Sequence, residues 1–230
     1  MKLAAMARRG WLLRARRGLY LILPLEAEPG RPMVVEDPWV LAREAFSPCY
    51  IGGWSAAEHW GLTEQLFRST LVVTATNARS RSIKLLGHEF RVFRVHQSRL
   101  VGLASVWRGA ERVPVSDRER TIIDGLRHPE LCGGFRHLAD IMREYGSHPE
   151  RDFKRLVSVA QKAGSGAAWK RLGYLAEKFW PAERSLIDKA LRHLTAGYVK
   201  LDPDIGRRGV LVRRWRLWVN APVAAASDQG

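Results

Sequence analysis

A chain of 230 residues with 46% hydrophobic side chains and nine tryptophans has enough apolar area to bury a core, which excludes a disordered polymer. Thirty-eight Lys and Arg against 23 Asp and Glu leave +15, a balance that draws polyanions, nucleic acid foremost, unless it is the background of a generally basic protein. Cys49 and Cys132 lie far apart outside any CxxC pattern, which excludes a disulfide framework or a zinc module and predicts two buried thiols.

The first 25 residues predict a short helix and a hairpin. Leu3, Met6 and Ala7 share a helical face, with Lys2, Arg8 and Arg9 available to the other and Gly10 as the stop. Trp11, Leu13 and Ala15 then alternate with Leu12, Arg14 and Arg16, and Arg17-Gly18 turns the chain into Leu19–Leu23. A helix followed at once by a basic hairpin matches the recognition helix and wing of a winged helix-turn-helix. An amphipathic helix and surface hairpin of some other fold fit the same residues. Six Lys or Arg with no acid before Glu26 favour DNA, with Lys2, Arg8, Arg9, Arg14, Arg16 and Arg17 as the contacts. The apolar run 19–25 is short, contains Pro24 and follows three arginines, so it makes a poor signal peptide, and a soluble cytoplasmic protein is expected.

Residues 26–32 read as a linker and 33–223 as a larger mixed domain, ending in a loose tail at 224–230. Asp37-Pro38 predicts a capped helix over Trp39–Phe46, stopped by Pro48. Ser55 and Glu58 have capping-box spacing and open a helix that Gly61 ends. Strands follow at Thr70–Thr76, Ser82–Leu86, Glu89–Val95 and Leu100–Val106, with turns at Gly87-His88 and Gln97-Ser98. Ser116 and Glu119 make a second capping box for a helix through Leu126. Further helices are expected at Gly134–Tyr145, Pro149–Ala163, Ala167–Trp180 and Ala182–Thr195, and strands at Tyr198–Leu201 and Val210–Val219. The fold class is α+β: an N-terminal winged-helix module that reads as truncated, joined to a larger mixed domain.

Signatures of catalysis are absent: no phosphate loop, HExxH or GxSxG occurs, and Gly164-Ser-Gly166 lacks a third glycine. The adjacent pairs Glu58-His59 and His88-Glu89 are not spaced to share a metal. Asp117, Glu119 and Asp124 form the most enzyme-like cluster, since carboxylates of a basic protein can hold Mg²⁺ for phosphodiester cleavage. Asp117 and Glu119 also sit where a helix N-terminus favours acids, and Glu119 and Asp124 are not on one face. A second basic segment carries Arg207, Arg208, Arg213, Arg214 and Arg216 around Trp215 and Trp218. It reads either as a phosphate- and base-binding patch or as a half-buried strand whose arginine stems cover a tryptophan. No cofactor or metal is expected.

Five segments in order give the chain a family likeness: Arg9-Gly-Trp-Leu-Leu13 with Arg17-Gly-Leu-Tyr20; Pro48–Ala57 with Trp60-Gly-Leu-Thr63; Asp117–Asp124; Cys132-Gly-Gly134; and Lys170–Leu175. In these it resembles the AbiEi-type antitoxins of bacterial type IV toxin–antitoxin systems. The resemblance implies a winged-helix domain that represses its own operon at inverted repeats in double-stranded DNA, and a C-terminal antitoxin domain. It implies as partner a nucleotidyltransferase-like toxin, opposed without a stable complex, and no membrane. The family's winged helix has helices ahead of the recognition helix, and here the sequence opens at that helix. Against this stand a metal-dependent nuclease built on Asp117, Glu119 and Asp124, and a basic protein-interaction module that does not bind DNA.

Overall fold

The computed structural model describes residues 5–7, 9, 12–16, 19–22, 37–77, 80–206 and 208–223; the expected linker at 26–32 and tail at 224–230 lie outside them. It is an α+β fold with the chain grouped into two compact units. Unit 1 comprises 1–51, 68–101 and 105–114, and unit 2 comprises 52–67, 102–104 and 115–230.

Unit 1 opens with one helical turn at 5–7, which the Arg9 N–H closes onto the Ala5 carbonyl (3.1 Å). Strands β1 (Leu12–Arg16) and β2 (Leu19–Ile22) form the expected antiparallel hairpin. The alternation is not continuous, because the register shifts between Arg14 and Arg16. Helix α1 (Pro38–Phe46) starts as the sequence dictates: Asp37 caps it, accepting from the N–H groups of Trp39 (2.8 Å) and Val40 (3.4 Å), and Pro38 fills the first turn, where no N–H is needed.

The principal sheet has six strands in the order β5-β6-β4-β3-β8-β7. These are β3 (Cys49–Ile51), β4 (Ser69–Thr74), β5 (Ser82–Leu85), β6 (His88–Arg94), β7 (Leu103–Arg108) and β8 (Glu111–Ser116); the unit boundaries fall inside β7 and β8. β5 and β6 form a hairpin whose turn, Leu86-Gly87, places both residues at positive φ (47° and 85°), the geometry that matches the twist of the flanking strands. β6 then runs parallel to β4, pairing Val72 with Val92. Phe46 of α1 meets Phe90 of β6 edge-on at 5.5 Å, and Leu41, Ile51, Val72 and Val113 complete the core of unit 1.

Unit 2 is mainly helical. Helix α2 (Gly53–His59) begins two residues before the expected capping box: Gly52 is the N-cap and Ser55 is buried inside the helix. Its end follows expectation. The Leu62 N–H reaches Ala57 O (2.8 Å) and Gly61 N–H reaches Glu58 O (3.1 Å), with Gly61 at φ 68°, the paired closure that a glycine permits.

Then come α3 (Arg118–Arg127), α4 (Phe135–Ser147), α5 (Phe153–Ala163), α6 (Gly166–Phe179) and α7 (Arg184–Arg192). A small sheet of β9 (Val199–Lys200), β10 (Val210–Val212) and β11 (Leu217–Val219) follows, in the order β10-β11-β9. The α6 stripe of Ala168, Leu172 and Leu175 is fully buried, with Phe179 half-buried against the same core. The expected single strand over Val210–Val219 is instead a hairpin interrupted by a 3-10 turn at Arg213–Trp215. Among the described residues no helix is long and apolar enough to cross a membrane.

Candidate nucleic-acid interface

Positive charge is concentrated in unit 1. It holds 17 of the 38 Lys and Arg but 7 of the 23 Asp and Glu, a net +10 over the smaller unit, against +5 for unit 2. Of the expected DNA contacts, Arg9 is exposed, and Arg14 and Arg16 lie on β1 at either side of the register shift. Lys2, Arg8 and Arg17 fall outside the described residues.

The second basic segment divides. Arg207 lies outside the described residues, while Arg208, Arg213 and Arg214 are exposed. Trp215 is wholly buried, and its indole N–H donates to the Glu177 carboxylate. It occupies the notch left by Gly173, where an added Cβ would stand 2.0 Å from the ring. Trp215 is therefore core and has no face to offer a base. Arg214 pairs with Glu177 at 2.7 Å, and Arg216, in the left-handed region at φ 52°, donates to Thr195 O at 2.9 Å.

The acidic cluster also resolves into structural partnerships. Asp117 caps α3 through the Arg120 N–H (2.8 Å) and pairs with Arg155. Glu119 does not turn back to complete a capping box with Ser116. It accepts from the Tyr145 hydroxyl (2.9 Å) and lies 3.4 Å from Arg155, while Ser116 bonds Thr121 instead (2.8 Å). Burial, reinforced by the Glu119 charge, pushes the Tyr145 hydroxyl pKa up, so it stays a donor. Asp124 is held by Arg120 (2.7 Å) and Arg127 (3.6 Å). Asp117 and Glu119 thus share Arg155 while Asp124 is held by Arg120 and Arg127, and no group of three metal-ligating side chains occurs among the described residues.

Several family-like segments meet inside unit 2. Trp54 stacks on Phe67 at 4.9 Å, and Phe67 lies 3.1 Å from where a Gly133 Cβ would stand. His137 joins the same place, with Nδ1 2.6 Å from Cys132 O and Nε2 2.7 Å from the Thr63 hydroxyl. Carbonyls only accept, so Nδ1 carries a proton toward Cys132 O, and Nε2 shares a hydrogen bond with the Thr63 hydroxyl. Nearby, the Trp60 indole donates to Ser116 O (2.7 Å) under the Arg118 guanidinium (4.8 Å).

Lys170 and Arg171 are stapling residues. Lys170 donates to Gly197 O (2.8 Å), and Arg171 to Leu126 O (2.7 Å), Lys200 O (2.9 Å) and Leu201 O (3.0 Å). Burial lowers the pKa of both. Phe67 and His137 belong to no motif whose spacing announces chemistry.

The chain is an α+β protein of two units with a basic first unit. No protein-family model matches it, and no curated protein matches it significantly. Among solved structures it is similar to the crystal structure of RV2827C protein from Mycobacterium tuberculosis, with a TM-score of 0.60 at 20% identity, over 94% of this chain and 78% of that one. At this identity the likeness is one of fold.

Proposed function

We propose that this chain is a cytoplasmic antitoxin and the DNA-binding autorepressor of a type IV toxin–antitoxin operon, opposing a nucleotidyltransferase-like toxin. The observation that carries the reading is the hairpin β1–β2, preceded by a helical turn, in the unit that holds most of the net positive charge. The order of the five family-like segments supports the same reading. In this scheme the arginines of the hairpin hold phosphates of operator DNA and Arg8 and Arg9 read base edges. Residues 33–223 carry the antitoxin activity.

The test is binding of the full chain to the duplex upstream of its own operon. Replacing Arg14, Arg16 and Arg17 together by alanine weakens binding to all duplexes and flattens the log K against log salt slope by about 0.9 per lost contact. Replacing Arg8 or Arg9 changes the preference for operator over random DNA. Binding that ignores the triple substitution overturns the assignment to the hairpin. Failure of co-expression to rescue growth against the neighbouring toxin overturns the antitoxin role.

A further inference from the structure

Of the tryptophans among the described residues, Trp107 alone is exposed, at 59%. It stands at the end of β7, next to the Gly109-Ala110 turn into β8, on the edge strand of the six-stranded sheet. Leaving so large an apolar ring in water forgoes burial that tryptophan ordinarily obtains.

The tip that carries this ring is tied down. The Arg108 Nε donates to Asp37 Oδ2 at 2.7 Å, and its guanidinium lies 4.7 Å over Trp39. Arg43 donates to Arg112 O at 2.8 Å and pairs with Glu111 at 2.9 Å. The carboxylates around the tip, Asp37, Glu44 and Glu111, are engaged by Arg108 and Arg43 rather than by Arg112. Arg112 rests its guanidinium 4.5 Å from the Trp107 ring centre. The tip presents an aromatic face and an adjoining cation on a fixed support.

That pairing suits a nucleobase and its phosphate: an indole stacks on any base and a guanidinium forks onto phosphate oxygens. Bases inside a duplex are already stacked on both faces. A ring fixed at a turn therefore selects a strand whose bases are free. We propose that the β7–β8 tip binds single-stranded nucleic acid, Trp107 stacking on an unpaired base and Arg112 holding the neighbouring phosphate. The inference rests on the reading of unit 1 as polyanion-binding, but not on the β1–β2 hairpin.

The experiment measures fluorescence anisotropy of labelled oligo(dT), oligo(U) and a random duplex with the full chain. Trp107→Ala weakens both single strands about tenfold and leaves the duplex unchanged, whereas Trp107→Phe keeps most of the affinity. Arg112→Ala weakens the single strands and lowers their log K against log salt slope by about 0.7. Circular dichroism of the variants matches the parent, since both side chains project from the surface. Equal oligo(dT) binding by the parent and Trp107→Ala overturns the proposal, as does a parent that binds duplex but no single strand. Self-association that Trp107→Ala abolishes, with single-strand binding intact, also overturns it and assigns the tip to a protein contact. Failure of the hairpin reading shows elsewhere, as duplex binding insensitive to the arginines of β1.

Discussion

Replacing Gly173 by alanine exchanges the poorest non-proline helix former for the best, a gain of about 1 kcal/mol in an exposed helix. In the middle of α6 the added Cβ would lie 2.0, 2.3 and 2.6 Å from three carbons of the Trp215 ring, where ordinary contact begins near 3.4 Å. The ring would have to retreat by more than an ångström. It is pinned by its indole hydrogen bond to Glu177, one turn along the same helix, and by its complete burial. Overpacking of this kind costs about 1–3 kcal/mol, and loss of a hydrogen bond to a charged acceptor about 1.5–3 kcal/mol.

Gly173→Ala is therefore expected to destabilise unit 2 by about 2–4 kcal/mol despite the helix propensity. Urea titration followed by far-ultraviolet circular dichroism measures it. Trp215→Leu alone should cost about 3 kcal/mol through the cavity it leaves, yet adding Gly173→Ala to it should cost little more, because the obstructing ring has gone. A Gly173→Ala protein as stable as the parent, or strict additivity of the two changes, would refute the seating of Trp215 against α6.

Arg171→Lys should cost about 3 kcal/mol by the same titration, because an ammonium cannot reproduce the fork that reaches Leu126 O, Lys200 O and Leu201 O. Tyr145→Phe should cost about 1–3 kcal/mol by removing the donor to the buried Glu119; a change within error would mean that Arg155 alone satisfies that carboxylate. Burial holds the thiols of Cys49 and Cys132 at about 12 against an ordinary 9.0, and raises Tyr145 as well. A raised folded pKa contributes stability that is complete below the unfolded value and lost as pH rises through the folded one. The urea midpoint should therefore hold steady from these groups up to about pH 9 and fall towards pH 12, and Cys132→Ala should flatten that limb. Neither thiol of the native protein should react with a disulfide reagent at pH 8.

Local chemistry was legible in the sequence wherever a residue acts on its own chain neighbours. Asp37-Pro38 and Gly61 set helix ends as their types dictate, whereas α3 is capped by Asp117 rather than by the expected Ser116. Legibility failed where tertiary contacts decide. Ser55 and Glu58 have capping-box spacing, yet burial of Ser55 places it inside α2. β3 is buried along its whole length and shows no alternation, and β8 contains Pro114, which argues against a strand in the sheet interior. The acids of Asp117, Glu119 and Asp124 suggested metal chemistry by composition, but their arginine partners come partly from α5, 38 residues away for Arg155 and Asp117. The sequence around Trp215 is compatible with a stacking surface or a covered ring, and the gap at Gly173 reveals which.

The chain passes between the two units five times, at 51/52, 67/68, 101/102, 104/105 and 114/115. During synthesis the N-terminal hairpin therefore emerges long before its unit can close, since β8, which lies between β3 and β7 in the sheet, ends at Ser116. Unit 2 begins with residues 52–67 but waits for Leu217 to fill its core. Such long sequence separations slow folding and leave apolar segments exposed on the nascent chain. Deletion from the C-terminus that reaches Leu217 removes part of the unit 2 core, so such a truncation series will report loss of folding before it reports loss of a function.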